Sequence, residues 1–390
     1  MTPSQTPTRT VPSLDLRRQY ARIRPQVVSA IERVCDSQQY VLGPEVTAFE
    51  REASAFLGCS HAIGCASGTD ALWLALAALE IGPGDAVITT PFTFFATASA
   101  IVRTGARPII CDVDPQTLNL DPDQVKKALR ENKNVKAIMP VHLYGQCADV
   151  DAFDRLAQEH GVAIVEDAAQ AFGAAWNGRR AGAVGHIAAF SFYPTKNLSC
   201  YGDGGLVTTN DERLAERTRM LRVHGSRQRY YHDEIGWNSR LDSIQASVLR
   251  VKLEHIERWN EERRQKAALY DGLLHHADIV GDSSAALSGQ APVQLPTIRN
   301  QAYHIFHQYV IRAYRRDELK KYLTERGIGC EVYYPVPLHM QKCFAFLGYT
   351  EGAFLESERA AKEVLALPIF PELEDEEQRY VVEQIAGFYS

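Results

Sequence analysis

The feature that most constrains this chain is a repeated exchange between helix-type and strand-type hydrophobic patterns, beginning at residue 69. TDALWLALAALE has the apolar content of a mostly buried helix, and the turn GPGD at 82–85 leads into AVITT. A helix around FFATASAIVRT, a strand in RPIICDVD, a helix capped by Asp121, the strand VKAIMPVHLY, the helix DVDAFDRLAQEH and the strand GVAIVEDAA follow. Strands that are apolar throughout are buried on both faces. Their separation by helices predicts an α/β architecture with a largely parallel sheet covered on either side. IAAFSF and GGLVTTN add two strands, the second running into a helix over 211–222.

Leu241 to Tyr270 is dense in Lys, Arg, Glu and Leu with no Pro or Gly, which predicts one long helix bridging two units. After a small, polar stretch at 282–292, a strand over 303–311 and helices near 315–326, 355–366 and 374–388 predict a smaller α+β unit. A length of 390 residues suits two domains. The division expected is a flexible arm over 1–12, a large domain over 13–255 and a small C-terminal domain over 256–390.

Composition excludes several functions. The chain has 45% hydrophobic and 23% charged residues and no long uncharged apolar run, so no membrane span is expected. A formal charge of -6 without a Lys/Arg block weighs against a nucleic-acid partner and leaves room for a pocket that binds a small anion. Eight scattered cysteines without CxxC or Cys/His spacing read as reduced thiols of a cytoplasmic protein with no structural metal. His304 and His307, three apart on an expected strand, would face opposite ways, which favours packing over metal ligation.

Ligands of parallel sheets bind outside the carboxyl ends of the strands, and three polar motifs fall there. In CASGTDALWLAL, Ser67 to Asp70 open a helix whose unpaired N–H groups and dipole suit a phosphate; plain helix capping is the simpler reading of this motif alone. Glu166 and Asp167 end an apolar strand, and alternation sends them to opposite faces, so one can serve a site while the other bonds locally. In FSFYPTKNLSCYGDGG, Lys196 lies between an aromatic run and a glycine cluster. A loop lysine is usually a solvated charge, but a desolvated one becomes a nucleophile able to hold pyridoxal phosphate. A phosphate-type helix start, a strand-end carboxylate for a pyridinium nitrogen and a lysine are together the fixed points that this cofactor requires.

These motifs, with TTPFTFFATA, VHLYGQ, EDAAQAFGA, WNSRLDSIQAS, YYPVPLHMQ and ALPIFPEL, resemble in order and spacing those of the DegT/DnrJ/StrS-type nucleotide-sugar aminotransferases. The resemblance runs from about Leu14 to the C-terminal region and implies the aspartate aminotransferase (type I) fold. It implies that Lys196 carries pyridoxal 5'-phosphate and moves the proton, while Asp167 keeps the pyridine nitrogen protonated. Gln170 would lie beside the ring and its 3-hydroxyl, Phe94 rather than Phe92 on the ring face, and Gly68, Thr69 and Ser191 at the phosphate. Asn238 would reach the phosphate of a neighbouring subunit, making a homodimer with shared sites. Arg240, Tyr333, Tyr334 and His339 would contact substrate.

The reaction implied moves an amine from an amino acid, usually glutamate, to a UDP- or dTDP-linked ketosugar, with C3 favoured over C4. It would serve amino-sugar and cell-surface polysaccharide biosynthesis. Many relatives acting on 3-keto sugars carry His before the Tyr-Pro of the YYP loop, where this chain has Tyr333. Sugar dehydratases of the same fold replace the lysine, commonly by His, and Lys196 argues against that activity. A regulatory protein has no need of a reactive amine, and a dinucleotide-binding oxidoreductase would need a glycine fingerprint that is missing.

Overall fold

The expected alternation folds into a seven-stranded sheet in a computed structural model that describes residues 9–282 and 286–390. Its first strands are β1 (His61–Cys65), β2 (Ala86–Thr89), β3 (Arg107–Ile110), β4 (Val135–Ile138) and β5 (Ala163–Asp167). A short ribbon of β6 (Ala175–Trp176) and β7 (Arg179–Arg180) precedes β8 (Ile187–Ser191) and β9 (Gly205–Thr209). The order is β1-β9-β8-β5-β4-β2-β3. All neighbours from β3 to β8 are parallel, and β9 alone runs against both β8 and β1. Six carboxyl ends therefore share one edge, where Gly205 opens β9 opposite both Ser191 and Cys65.

Helices cover both faces: α1 (Leu16–Ser37), α2 (Pro44–Leu57), α3 (Gly68–Ala78), α4 (Ala96–Arg103), α5 (Pro122–Glu131), α6 (Val150–His160), α7 (Glu212–Leu221), α8 (Ser243–Leu253) and α9 (Ile256–His276). Their limits are written locally. Asp121 accepts from Asp123 N–H ahead of Pro122, and Asp149 caps α6, which ends at left-handed Gly161. One core gathers Phe49, Phe172, Phe190, Phe192 and Trp259; the opposite face gathers Leu72 and Leu76 of α3, Ile101 of α4, Val207 and Leu221. Each such side chain contributes roughly 1.5–3 kcal/mol on burial.

After a hairpin of β10 (Ser226–Gln228) and β11 (Tyr231–His232), the C-terminal part contains β12 (Val293–Gln294), β13 (Ala302–Tyr303), β14 (Tyr309–Ala313) and β15 (Val364–Leu367). It also contains α10 (Arg316–Glu325), α11 (Leu355–Glu363) and α12 (Asp375–Tyr389). Strand β14 lies between β12 and β15, and Tyr309, Ile311 and Leu365 pack on Leu319, Leu323, Val381 and Ile385.

The structure departs from the sequence reading in four places. Of the flexible arm expected over 1–12, residues 1–8 lie outside the described residues, and near its end Val11 is fully buried and bridges Ile328. The long helix expected over 241–270 is two helices, α8 and α9, broken at Glu254 and His255. Beyond the break α9 spans both cores: Ile256 and Trp259 belong to the first, while Ala267, Tyr270 and Leu274 belong to the C-terminal one. The strand expected over 303–311 is interrupted, because Phe306 is left-handed (φ 48°) between β13 and β14. Finally, residues 364–366, expected to end a helix, belong with Leu367 to β15 and pair with β14.

The paired carboxylates divide their work as alternation requires. Glu166 is wholly buried and accepts from His142 Nε2 at 2.8 Å and from the N–H groups of Gly182, Val184 and Gly185 at 2.7–3.0 Å. Burial pushes its carboxyl up, but His142 and the amides outweigh this and hold it below the usual carboxylate range. His142 Nδ1 accepts from Ala148 N–H at 3.1 Å, so the ring proton sits on Nε2 and faces Glu166. Glu166→Gln places an amide hydrogen against a backbone donor in this dry cluster. It is expected to lower unfolding free energy by about 3 kcal/mol in denaturant titration; a change under about 1 kcal/mol would contradict this account.

Candidate active site

A cavity of about 700 Å³ opens at the shared edge of carboxyl ends. At one side, Ser67 caps α3 by accepting from Asp70 N–H at 3.1 Å, and Asp70 accepts from Ser239 Oγ at 2.8 Å. The Gly68 and Thr69 N–H groups are left without a protein acceptor among the described residues, as the first turn of a helix requires. Two glycines permit this turn to sit against the sheet. A Cβ on Gly68 would lie 2.5 Å from Ser191 Cβ, and one on Gly205 would lie 2.3 Å from the Ser67 carbonyl oxygen. Gly68, Thr69 and Ser191 thus converge on one concavity suited to an anion.

Across the cavity stand Asp167 and Lys196. Asp167, at the end of β5, is 4% exposed; its Oδ2 accepts from Thr97 Oγ1 at 2.7 Å and its Oδ1 from Ala169 N–H at 3.3 Å. Burial pushes its carboxyl up, against the lowering effects of Thr97, the Ala169 amide and Lys196. Lys196 sits in a turn closed by its own N–H on Tyr193 O at 2.8 Å, and next to it Asn197 is anchored to Phe172 O at 2.7 Å and Asn260 at 3.1 Å. No hydrogen bond or ion pair holds Nζ among the described residues. Burial pushes the amine down to about 8, although Asp167 pulls it up.

Phe94, Gln170 and Tyr334 line the same cavity. Phe94 is 56% exposed at the mouth, whereas Phe92 is fully buried in the core. Gln170 is oriented from both ends of its amide: Oε1 accepts from Tyr144 N–H at 2.7 Å, and Nε2 donates to Tyr334 Oη at 2.9 Å. Its second amide hydrogen has no partner among the described residues. Tyr333 and Tyr334 line the cavity, and Tyr144 Oη donates to the Tyr333 carbonyl oxygen.

Two expected residues, Arg240 and His339, are not brought there. Arg240 is half-buried outside the cavity lining, and Asn238, expected at the site of a neighbouring subunit, is exposed beside it, the two flanking Ser239, the residue that braces α3. His339 departs from its expected substrate contact: its side chain is fully buried, with Nε2 3.0 Å from Glu358 and the ring against Phe354. Glu358 also accepts from Gly352 and Phe354 N–H, so His339 braces a loop. Conversely, sequence reasoning missed Thr97, which orients Asp167, and His307, which lines the cavity. Nothing local sets Thr97 apart from the other polar residues of FFATASAIVRT, and an unbroken strand over 303–311 hides the turn at Phe306 that precedes His307. No group of three or more His, Cys, Asp or Glu among the described residues could hold a metal ion.

The pocket fits pyridoxal phosphate on its own terms: unpaired helix-start amides for a phosphate, a buried carboxylate opposite, and a desolvated amine with no partner. Fold and site together define a pyridoxal-phosphate-dependent aminotransferase of fold type I. The chain belongs to the DegT/DnrJ/EryC1/StrS aminotransferase family, whose model matches residues 21–386. It is 52% identical over 97% of its length to a pleiotropic regulatory protein of Geobacillus stearothermophilus, covering 98% of that protein. It is 45% identical to the dTDP-3-amino-3,4,6-trideoxy-alpha-D-glucose transaminase of Streptomyces venezuelae, covering 98% of this chain and 97% of that one. The crystal structure of S. venezuelae DesV in complex with a ketimine intermediate superposes with a TM-score of 0.92 at 45% identity, covering 98% of this chain and 99% of that one.

The lowered amine has a pH signature. Only neutral Nζ can add to an aldehyde, and with a pKa of about 8 its neutral share rises from about a tenth at pH 7 to about nine-tenths at pH 9. Pyridoxal phosphate added to cofactor-free protein should therefore be captured about tenfold faster at pH 9 than at pH 7, with a plateau above. An ordinary lysine would give about a hundredfold rise and no plateau in stopped-flow absorbance.

Proposed function

We propose that this enzyme moves an amino group from L-glutamate to the 3-keto carbon of a UDP- or dTDP-linked sugar, for amino-sugar and cell-surface polysaccharide biosynthesis. The observation that carries the reading is the convergence of Lys196, Asp167 and the α3 start on one cavity. The C3 position follows the product name of the S. venezuelae transaminase. Lys196, kept as lysine and desolvated, disfavours sugar dehydration, and its reactive amine disfavours a purely regulatory role despite the Geobacillus relative's name.

Gly68, Thr69 and Ser191 would hold the cofactor's phosphate, Asp167 its protonated ring nitrogen, Phe94 its ring face, and Gln170 its 3-hydroxyl side. When bound, the cofactor supplies an aldehyde carbon that exchanges amines and a ring that accepts electrons. Lys196 Nζ takes a proton from the donor carbon and later delivers one to the acceptor carbon, which suits an amine with a pKa near the working pH. Thr97 holds the Asp167 carboxylate in one orientation, and Phe94, Tyr333 and Tyr334 keep water from the reacting atoms. Incubating the protein with glutamate and a panel of UDP- and dTDP-linked 3- and 4-ketosugars, with release of 2-oxoglutarate as readout, tests the assignment. Release with no sugar in the panel, or only with 4-ketosugars, would overturn the corresponding part.

The functional unit proposed is a homodimer with shared sites. Asn238 stands exposed beside α3, and the neighbouring hairpin segment presents Tyr230, Tyr231 and Ile235 to the outside. Mixing Lys196→Ala and Asn238→Ala chains should restore activity, because one site of each mixed dimer then has both residues intact; no recovery would contradict the shared site. No helix of the described residues is long and apolar enough to cross a membrane, and the eight cysteines are unpaired, which supports a cytoplasmic enzyme.

A further inference from the structure

We propose that a small annex beside Lys196, walled by His307 and the buried guanidinium of Arg263, is the subsite for the carboxylate of the amino-acid donor. The inference rests on the aminotransferase reading above and adds the donor's recognition group. A space of about 70 Å³ adjoins the main cavity, and Thr195, His307, Gln308 and Tyr333 line both.

His307 is 4% exposed, and neither ring nitrogen has a hydrogen-bond partner among the described residues; Nδ1 is sealed from solvent. Arg263, also 4% exposed, uses Nη1 alone, on the carbonyl oxygens of Ile369 at 2.9 Å and of Phe306 and His307 at 3.4 Å. Its Nε and Nη2 have no acceptor among the described residues. Buried donors left unmade are costly, so such a pair is retained where a partner arrives.

The chemistry of the pair selects that partner. Burial pushes Arg263 down to about 10, which leaves it a cation at neutral pH, and pushes His307 far below its ordinary range, which leaves it neutral with one N–H. A cation beside a neutral donor suits a planar group with two acceptor oxygens. The acidic neighbours already have cations: Glu331, on the annex wall, is 3.5 Å from Lys320, and Glu372 is 3.6 Å from Arg22. Position agrees as well. An amino acid's carboxylate is one bond from the carbon whose proton Lys196 takes, so its subsite must adjoin the lysine, and Thr195 is the preceding residue. The keto carbon of a sugar needs no such partner.

Holoenzyme titrated with maleate, an unreactive dicarboxylate, in a calorimeter reads the subsite without turnover. His307→Leu should weaken maleate about 10- to 100-fold and raise the KM for glutamate in the same proportion, with the ketosugar KM within about twofold of wild type. His307→Gln, which keeps an N–H, should retain most of the affinity. Should His307→Leu not fold, Arg263→Lys, which keeps the charge but loses the planar fork, should weaken maleate at least about tenfold. No maleate binding by wild type, unchanged binding in these variants, or an equal rise in both KM values overturns the subsite. If wild type releases no 2-oxo acid from any donor, the aminotransferase reading falls instead, while the maleate titration still decides the annex.

Discussion

Lys196→Ala is expected to lower kcat for amine transfer by about 10³-fold or more and to leave no chromophore that borohydride can fix to the chain. The expectation follows from isolation as much as from position. Nζ has no hydrogen bond in the described structure, and burial brings it down to about 8, so it is available both to add to a carbonyl and to carry a proton. Neither Asp167, held by Thr97 and Ala169, nor neutral His307 can take over both tasks. Alanine at 196 removes no contact that anchors the loop, because Asn197 and the Lys196 N–H make those bonds. The variant should therefore fold and still bind the phosphate end of the cofactor. Retention of a reducible linkage in Lys196→Ala would sink the assignment.

Asp167→Asn is the second large effect, an expected fall of about 10²- to 10³-fold in kcat with the visible absorbance of the bound cofactor preserved. The substitution keeps size and leaves an amide that can still meet Thr97 Oγ1, so it deletes charge rather than shape. A charge at this depth, 4% exposed at the end of β5, acts through low-dielectric surroundings and is worth far more than the same charge in water. Because burial already pushes the carboxyl up, its loss should leave thermal stability unchanged or slightly higher, separating chemistry from folding. A rate within about tenfold of wild type would show that the opposing carboxylate is structural.

Much of this is legible in the sequence. Apolar runs divided by helical patterns led to the strands of the sheet, and Asp121 and Asp149 marked helix starts correctly. The motifs around Ser67, Asp167 and Lys196 lay at strand ends, where ligands of parallel sheets bind. The misses share a cause. The break at Glu254 and His255 has no Pro or Gly to announce it, and the helix beyond it packs on both cores. His339 shares its loop with Tyr333 and Tyr334, yet the loop turns its imidazole toward Glu358.

The fold class, the lysine, the helix start and the strand-end carboxylates were written in the chain, because periodicity and strand-end placement are local properties. The physical reason that Asp167 and not Glu166 faces the cavity lies in the packing, which sets β5 between β4 and β8 and folds His142 and the Gly182 amide onto Glu166. Packing alone brought Thr97 to Asp167 across 70 residues of sequence, set His307 in the cavity with Lys196, and put Arg263 on the annex that His307 also lines. Such contacts arise from which strands become neighbours, and no local pattern of apolar and polar residues records that choice.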